Sequence, residues 1–263
     1  MVAMCRIAVY LGPEIALRNL LTLPEHSLLK QSWQPRELKY AKLNADGYGY
    51  AWFDGNGHPL RYIYAEPIWA DPNLHELASG LSSDLWLAFI RSASEGFGNH
   101  SLNTQPFRDD SIVFMHNGYI EDFNQSLRPE LLQRLPHDIQ AGIQGNTDSE
   151  YLFALIRWMR STEPDTSLPG LLEQCLDWVG RHIHTKKALL NLTLSDGRMV
   201  ATCRHAFNDD APSLYYSTAD THFPLGAQLI ASEPLYASDA WHRVPESHML
   251  CLNRDTPPEL KSF

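Results

Sequence analysis

The sequence predicts an α+β protein, and three observations carry that prediction. Short runs with an apolar residue at every second position mark strands, beginning with Ile7, Val9 and Leu11 inside Met4-Cys5-Arg6-Ile7-Ala8-Val9-Tyr10-Leu11-Gly12. Longer runs with apolar residues at helical spacing mark helices, above all the stretch after Thr147 and the stretch from Leu168 to about Ile183. The second half then reads as a meander of strands with turn signals between them, and no Pro- or Ser-rich linker separates it from the first half.

After the first strand, residues 14–23 carry Ile15, Leu17, Leu20 and Leu21 on a helical period that Pro24 closes, so a short helix is predicted there. Residues 26–42 mix Leu28, Leu29 and Trp33 with Pro35 and several basic residues, and read as a partly irregular loop. In Asn44-Ala45-Asp46-Gly47-Tyr48-Gly49, two glycines beside Asn and Asp predict a turn whose backbone closely approaches something, followed by an aromatic strand through Phe53. No phosphate-loop lysine follows those glycines. Asp54-Gly55-Asn56-Gly57 predicts a hairpin into a strand over residues 60–64. Residues 71–81 place Leu74, Leu77, Ala78 and Leu81 on one helical face, and the continuous apolar run 85–90 predicts a buried central strand that delivers Arg91. A further strand, 111–115, runs directly into His116-Asn117-Gly118-Tyr119-Ile120. Thr147-Asp148-Ser149-Glu150 has the T-x-x-E capping-box form, and the helix after it carries Leu152, Phe153, Leu155, Ile156 and Met159. Beyond the helix of residues 168–183, strands are predicted over 188–194, 199–204, 214–217, 228–232 and 248–253, with Ser195-Asp196-Gly197 as a turn.

With 263 residues, 44% of them hydrophobic and 11% aromatic, the chain can bury a sizeable core, which excludes global disorder. A net charge of −10 argues against a general binder of phosphate backbones, so nucleic acid is not an expected partner. No run of eighteen apolar residues exists, and the amino terminus lacks the basic-then-apolar layout of a signal peptide, so no membrane partner and a cytoplasmic location are expected. The four cysteines, Cys5, Cys175, Cys203 and Cys251, form no CxxC pair and fit neither a disulfide framework nor a zinc knuckle; three are expected in the core. His182 and His184 stand two apart near a helix end and are not expected to hold a metal.

Three sites each carry two readings, and a fourth has a structural reason by itself. Cys5 is either a buried first-strand cysteine or, once Met4 is removed, a thiol sharing a carbon skeleton with a free α-amine that titrates near pH 8 and can take its proton. Arg91 is either a surface charge or a fork that grips a carboxylate at a strand end. Asn117-Gly118 is either a turn or an oxyanion hole built from a side-chain amide and a backbone N–H. Asp148 stands in a first helical turn, where the helix dipole alone favours a carboxylate.

Taken together, Cys5, Asn44-Ala45-Asp46-Gly47-Tyr48-Gly49, Arg91-Ser92-Ala93-Ser94, His116-Asn117-Gly118 and Thr147-Asp148-Ser149-Glu150 resemble the class II glutamine amidotransferase domain. Ala231-Ser232-Glu233-Pro234 with Trp241, Val244-Pro245 and His248 resembles the branch of that family that removes a γ-glutamyl group from a hercynylcysteine sulfoxide conjugate in ergothioneine biosynthesis. The resemblance implies a four-layer αββα N-terminal-nucleophile hydrolase sandwich, in a single domain over residues 5–255 with 256–263 as a tail. It implies that Cys5 attacks a γ-carbonyl, that Asn117 and Gly118 hold the oxyanion, that Arg91 pairs with the substrate α-carboxylate and that Asp148 accepts from its α-ammonium. Ser94 and His116 are expected in the same substrate pocket, Ser94 standing where many relatives have Thr and keeping the hydroxyl. A small γ-glutamyl molecule is the expected partner, with no cofactor and no metal. Residues 1–4 precede the nucleophile, so the active chain is expected to begin at Cys5, by removal of those residues or a later start. Two other functions compete: a glutaminase that supplies ammonia to a separate polypeptide, and a γ-glutamyl-binding module without catalysis.

Overall fold

Strand β1 (Arg6–Ala16) is the axis of the larger sheet, because both of its edges are paired. Its two faces are apolar in alternation: Ile7, Val9 and Leu11 point one way, Ala8 and Tyr10 the other, and all five are fully buried. This computed structural model describes residues 4–37, 43–93 and 98–263. After β1 come the one-turn helices α1 (Arg18–Leu21) and α2 (Leu28–Gln31), the hairpin β2 (Tyr48–Phe53) and β3 (Pro59–Tyr64), helix α3 (Leu74–Gly80) and strand β4 (Ser82–Ile90). Strands β5 (Phe107–Arg108) and β6 (Val113–Ile120) lead to helices α4 (Leu127–Arg134), α5 (His137–Ala141), α6 (Asp148–Thr162) and α7 (Leu168–Ile183). The remainder is β7 (Ala188–Ser195), β8 (Met199–Phe207), β9 (Tyr215–Ser217), β10 (Gln228–Ala231), β11 (His242–Arg243), β12 (His248–Asn253) and β13 (Thr256–Ser262).

These strands form a seven-stranded sheet, β11-β9-β10-β1-β4-β2-β3, and a six-stranded sheet, β13-β12-β8-β7-β6-β5, with antiparallel pairing throughout. Three apolar clusters fix the layering. One joins Ile7, Val9, Leu87 and Phe89 of the first sheet to Val113, Met115, Val200 and Leu250 of the second, so the sheets face each other. A second packs the outer face of the six-stranded sheet, including Phe114, Leu190 and Leu192, against α4 to α7. The third packs Ala8, Tyr10, Trp86 and Ala88 of the seven-stranded sheet against Leu20, Leu21, Leu28 and Leu74 of α1, α2 and α3. The result is the four-layer αββα sandwich that the sequence motifs imply.

Local departures have physical reasons. Glu14, Ile15 and Ala16, predicted as helical, extend β1 instead, because the register against β4 shifts between Leu11 and Ile15 and resumes with Ile15 opposite Ser83. The Trp86 indole N–H secures that extension by donating to the Ile15 carbonyl at 3.1 Å. His116-Asn117-Gly118 does not turn: β7 pairs with β6 along its whole length, with Asn117 opposite Asn191 and Gly118 opposite Leu190. Residues 256–262, expected as a tail, are the edge strand β13, where Pro257 and Pro258 remove donors that an edge can spare. The Thr147 capping box is half formed, since the Thr147 hydroxyl accepts from Glu150 N at 3.2 Å while the Glu150 carboxylate turns to the N–H groups of Gln144 and Gly145.

Candidate active site

Cys5 immediately precedes β1, and Arg6 pairs with Ile90, the last residue of β4. That register sets the thiol beside the chain leaving β4. The Ser92 N–H donates to Cys5 Sγ at 3.4 Å, and the thiol faces the Ser92 carbonyl at 3.6 Å. Burial pushes the thiol up to about 11, with the Ser92 backbone, Arg91 and Arg6 pulling it down and Asp148 pushing it up. A thiol so placed is neutral at pH 7 and needs a base before it can attack. While Met4 is attached, the nitrogen of Cys5 is an amide and is no base.

Period-two alternation decides which residues of β6 face the thiol side. Val113 and Met115 point between the sheets, so Asn117 does too, and it is fully buried there. Its Nδ2 donates to Ser232 Oγ at 3.3 Å, and the same hydroxyl accepts from Ile7 N at 2.9 Å. Ser232 N donates back to the Ile7 carbonyl at 3.0 Å. Ser232, directly after β10, therefore ties the Asn117 amide to β1 two residues beyond the thiol. An amide nitrogen has two hydrogens, and Ser232 orients it by taking one. Gly118 has no room for a side chain: a Cβ would lie 1.8 Å from the Leu189 carbonyl oxygen and 2.6 Å from His116 Nε2.

His116 is placed on the opposite face from Asn117, away from the thiol. Its Nδ1 lies 2.9 Å from Ser149 Oγ and its Nε2 2.9 Å from the Leu189 carbonyl, and both are committed within the protein. Gln105 clamps its backbone, the Gln105 amide donating to the His116 carbonyl at 3.1 Å and its oxygen accepting from His116 N at 2.6 Å. The pocket role expected for His116 is thus replaced by a positioning one: neighbours in a regular strand cannot both face the same side.

Arg91 is buried at the end of β4, and its guanidinium donates to the carbonyls of Asp46 and Gly98 at 3.2 Å each, with Asn99 Oδ1 at 3.5 Å. The Asn44–Gly49 turn makes the close approach its glycines predict: Gly47 accepts from Arg91 N at 2.8 Å and Asp46 Oδ2 from Ala93 N at 2.7 Å. Asp148 is held by Ile120 N at 2.9 Å and Ser149 N at 2.7 Å, which aligns the carboxylate at the end of β6. Burial pulls the Arg91 guanidinium down, while Cys5, Asp46 and Asp148 hold it up. The structure thus brings Cys5, Arg91 and Asp148 within one electrostatic neighbourhood, with Asn117 and Gly118 on the facing sheet. Ser94 lies outside the described residues.

Sequence reasoning missed a charged network beneath Cys5. Arg6 donates to the Cys5 carbonyl at 2.9 Å, and its Nε lies 3.2 Å from Glu233 Oε1. Glu233 also meets His26 Nε2 at 2.6 Å and accepts from the backbone of Arg36 and Glu37 at 2.9 and 3.0 Å. Burial alone would raise the Glu233 carboxyl, but His26, Arg6 and those two N–H groups outweigh it and hold it below the ordinary carboxylate range. The only sequence sign of this network was the Ser232-Glu233-Pro234 motif. Next to it lies an open cleft of about 570 Å³ whose walls include Met4, Leu189, Arg204 and Arg243. Among the described residues no group of three or more His, Cys, Asp or Glu could hold a metal, and no helix is long and apolar enough to cross a membrane.

Residues 19–261 match the class-II glutamine amidotransferase family, a span that begins after Cys5. The chain is 28% identical over 297 aligned positions to the probable glutamine amidotransferase DUG3 of Saccharomyces cerevisiae, covering 96% of this chain and 83% of that protein. It is also 28% identical over 250 positions to the gamma-glutamyl-hercynylcysteine sulfoxide hydrolase of Mycolicibacterium smegmatis, covering 94% and 95%. Among solved structures, a glutamine aminotransferase class-II domain protein from Silicibacter pomeroyi superposes with a TM-score of 0.70 at 24% identity, covering 98% of this chain and 99% of that one.

Proposed function

The chain belongs to the class-II glutamine amidotransferases, a family of amidohydrolases, and from that premise we propose that it hydrolyses a linear γ-glutamyl amide with Cys5 as an N-terminal nucleophile. The proposed substrate is a γ-glutamyl-hercynylcysteine sulfoxide-type conjugate, in line with the name of the M. smegmatis relative. The observation that carries the reading is the buried Cys5 thiol set against Ser92, next in the chain to the buried Arg91, with the buried Asp148 carboxylate held at the end of β6 on the facing sheet. These two opposite charges match the α-carboxylate and α-ammonium of a glutamyl group.

In the proposed sequence, the freed α-amine of Cys5 takes the thiol proton and Sγ attacks the γ-carbonyl carbon. The free Nδ2 hydrogen of Asn117 and the Gly118 N–H receive the oxyanion. As the tetrahedral species collapses, the amine returns its proton to the leaving nitrogen and a γ-glutamyl thioester remains on Cys5. Water, deprotonated by the same amine, attacks the thioester, and glutamate and the thiol are released. The amine acts only when no residue precedes Cys5. The test compares glutamate release from γ-glutamyl thioethers and sulfoxides with ammonia release from glutamine. Faster turnover of the conjugates supports the reading; preferential turnover of glutamine overturns it in favour of a glutaminase, and release from neither substrate favours a binding module.

A further inference from the structure

We infer that Arg6 is a positioning residue for the nucleophile: by gripping the Cys5 carbonyl it sets where the Cys5 α-amine stands relative to the thiol, and Glu233 holds it in that grip. The inference rests on the Cys5 mechanism proposed above. Alternation along β1 makes the contact. Cys5, Ile7, Val9 and Leu11 pack between the sheets, so Arg6 goes to the other face with Ala8 and Tyr10. From that face its guanidinium meets the main chain of Cys5: Nη1 donates to the Cys5 carbonyl at 2.9 Å, and the side chain is fully buried.

A residue inside a chain is held by the peptide planes on both sides, whereas a first residue is held on one side only. Rotation about its Cα–C bond then sweeps amine and thiol together. Two substituents on the Cys5 Cα are held here. Ser92 N donates to the thiol at 3.4 Å, and the carbonyl is held by the Arg6 guanidinium and by the pairing of Arg6 with Ile90. Because Cα is a tetrahedral centre of fixed hand, holding those two places the amine. A displacement of about 1 Å at such a group is enough to cost about 10²-fold in rate.

The grip is built at a cost that packing alone does not explain. Arg6 Nε lies 3.2 Å from Glu233 Oε1, yet Nε and Nη2 have no hydrogen-bond partner among the described residues, so the guanidinium makes its hydrogen bond to the nucleophile alone. Glu233 is itself fixed by His26 Nε2 at 2.6 Å and by the N–H groups of Arg36 and Glu37. The charge of Arg6 also acts on both groups at Cα, favouring thiolate over thiol and free amine over ammonium, while Glu233 tempers it. The other charges facing this centre are Arg91 from the end of β4, Asp148 from the start of α6, and His26 and Glu37 across the network. The cleft beside Met4 adds Arg36, Arg204, Arg243, Asp209, Asp210 and Glu246. All of these stay in place in the variants below.

The test takes the chain beginning at Cys5 as parent and compares Arg6→Met, Arg6→Lys and the double variant Arg6→Met with Glu233→Gln, which leaves neither half of the ion pair buried alone. Each is assayed below its melting temperature with γ-glutamyl p-nitroanilide, and alkylation of Cys5 by iodoacetamide is followed across pH by mass spectrometry. Arg6→Met should lower kcat by about 10²-fold with KM little changed. It should also move the acidic limb of kcat/KM, and the alkylation profile with it, to higher pH, because the ammonium and the thiol both lose a nearby positive charge. The double variant should return both profiles towards the parent and keep the loss in kcat, since the charge is balanced again but the grip is gone. Arg6→Lys should fall between Arg6→Met and the parent in kcat. A lowered melting temperature with kcat, KM and both profiles as in the parent overturns the inference and leaves Arg6 a packing residue; so does a loss carried by KM. If the parent itself releases no p-nitroaniline, the proposed function fails, and the alkylation profile of Arg6→Met alone decides the inference, a profile unmoved from the parent's overturning it.

Discussion

Asn117 is the side chain whose environment is most specific to a single task. It is fully buried, one of its amide hydrogens is taken by Ser232, and its Oδ1 has no hydrogen-bond partner among the described residues. Asn117→Ala should keep the fold and lower kcat by about 10²- to 10³-fold, the usual cost of losing one oxyanion donor. Ser232→Ala should lower kcat less, because it leaves the donor present but unaligned; steady-state kinetics on both variants check the ordering, and a larger loss in Ser232→Ala would move the oxyanion role away from Asn117. Glu233 gives a pH-dependent test. Its carboxyl is depressed in the folded protein, so its stabilisation is present above the unfolded value of about 4.3 and is lost as pH falls through the lower folded value. Glu233→Gln breaks a buried ion pair and should cost about 3–5 kcal/mol at pH 7. Thermal melts should show the gap to the parent narrowing as pH drops towards 3; a gap independent of pH would mean that the charge of Glu233 contributes nothing. Residues such as Cys5, Arg91, Asn117 and Asp148 were legible in the sequence because each stands beside a strong local signal, a strand end, an Asn-Gly pair or a capping box. Ser232 and Glu233 act on residues 115 or more positions away, and no periodicity announces such contacts.

At the scale of elements, β6 carries the most consequence. Reading His116-Asn117-Gly118 as either a turn or an oxyanion hole left out a third case, a continuous strand that carries the proposed oxyanion donors. In that strand, alternation alone sends Asn117 inward and His116 outward, so the placement of His116 follows once pairing with β7 is known. The helix predicted over residues 14–23 survives only as α1 at Arg18–Leu21, for the opposite reason: helical spacing of Ile15, Leu17, Leu20 and Leu21 was real, but pairing of Ile15 and Ala16 with β4 draws the first part into β1. Gly118→Ala tests how tightly β6 and β7 are joined. A methyl group 1.8 Å from a backbone oxygen forces the strands apart, and a loss of about 3 kcal/mol or more in urea denaturation is expected, at the upper end of overpacking. Gly55→Ala, in an exposed turn with nothing within 4 Å, should stay within about 0.5 kcal/mol. Equal effects at the two glycines would contradict the close approach at β6.

For the whole molecule, the layers set where chemistry occurs. Two facing sheets give a dry interior, and the thiol sits at its rim, where β1 begins and β4 ends. The αββα layering was legible only through motif order, since single strands and helices leave sheet order open; the cleft beside Met4 was not legible at all, because its walls come from segments spread between Met4 and Glu246. Among the described residues the hydrogen bonds of the Cys5 thiol run to the Ser92 backbone, and in the proposed mechanism its base is its own nitrogen. The direct test prepares the chain beginning at Cys5 and the chain retained intact from Met1, verifies both by intact mass, and measures glutamate release from one γ-glutamyl conjugate. The account predicts that the first is faster by about 10²-fold or more, the usual contribution of a positioned general base, and that its rate rises with pH through the α-amine titration near pH 8. Equal rates from the two chains would contradict it.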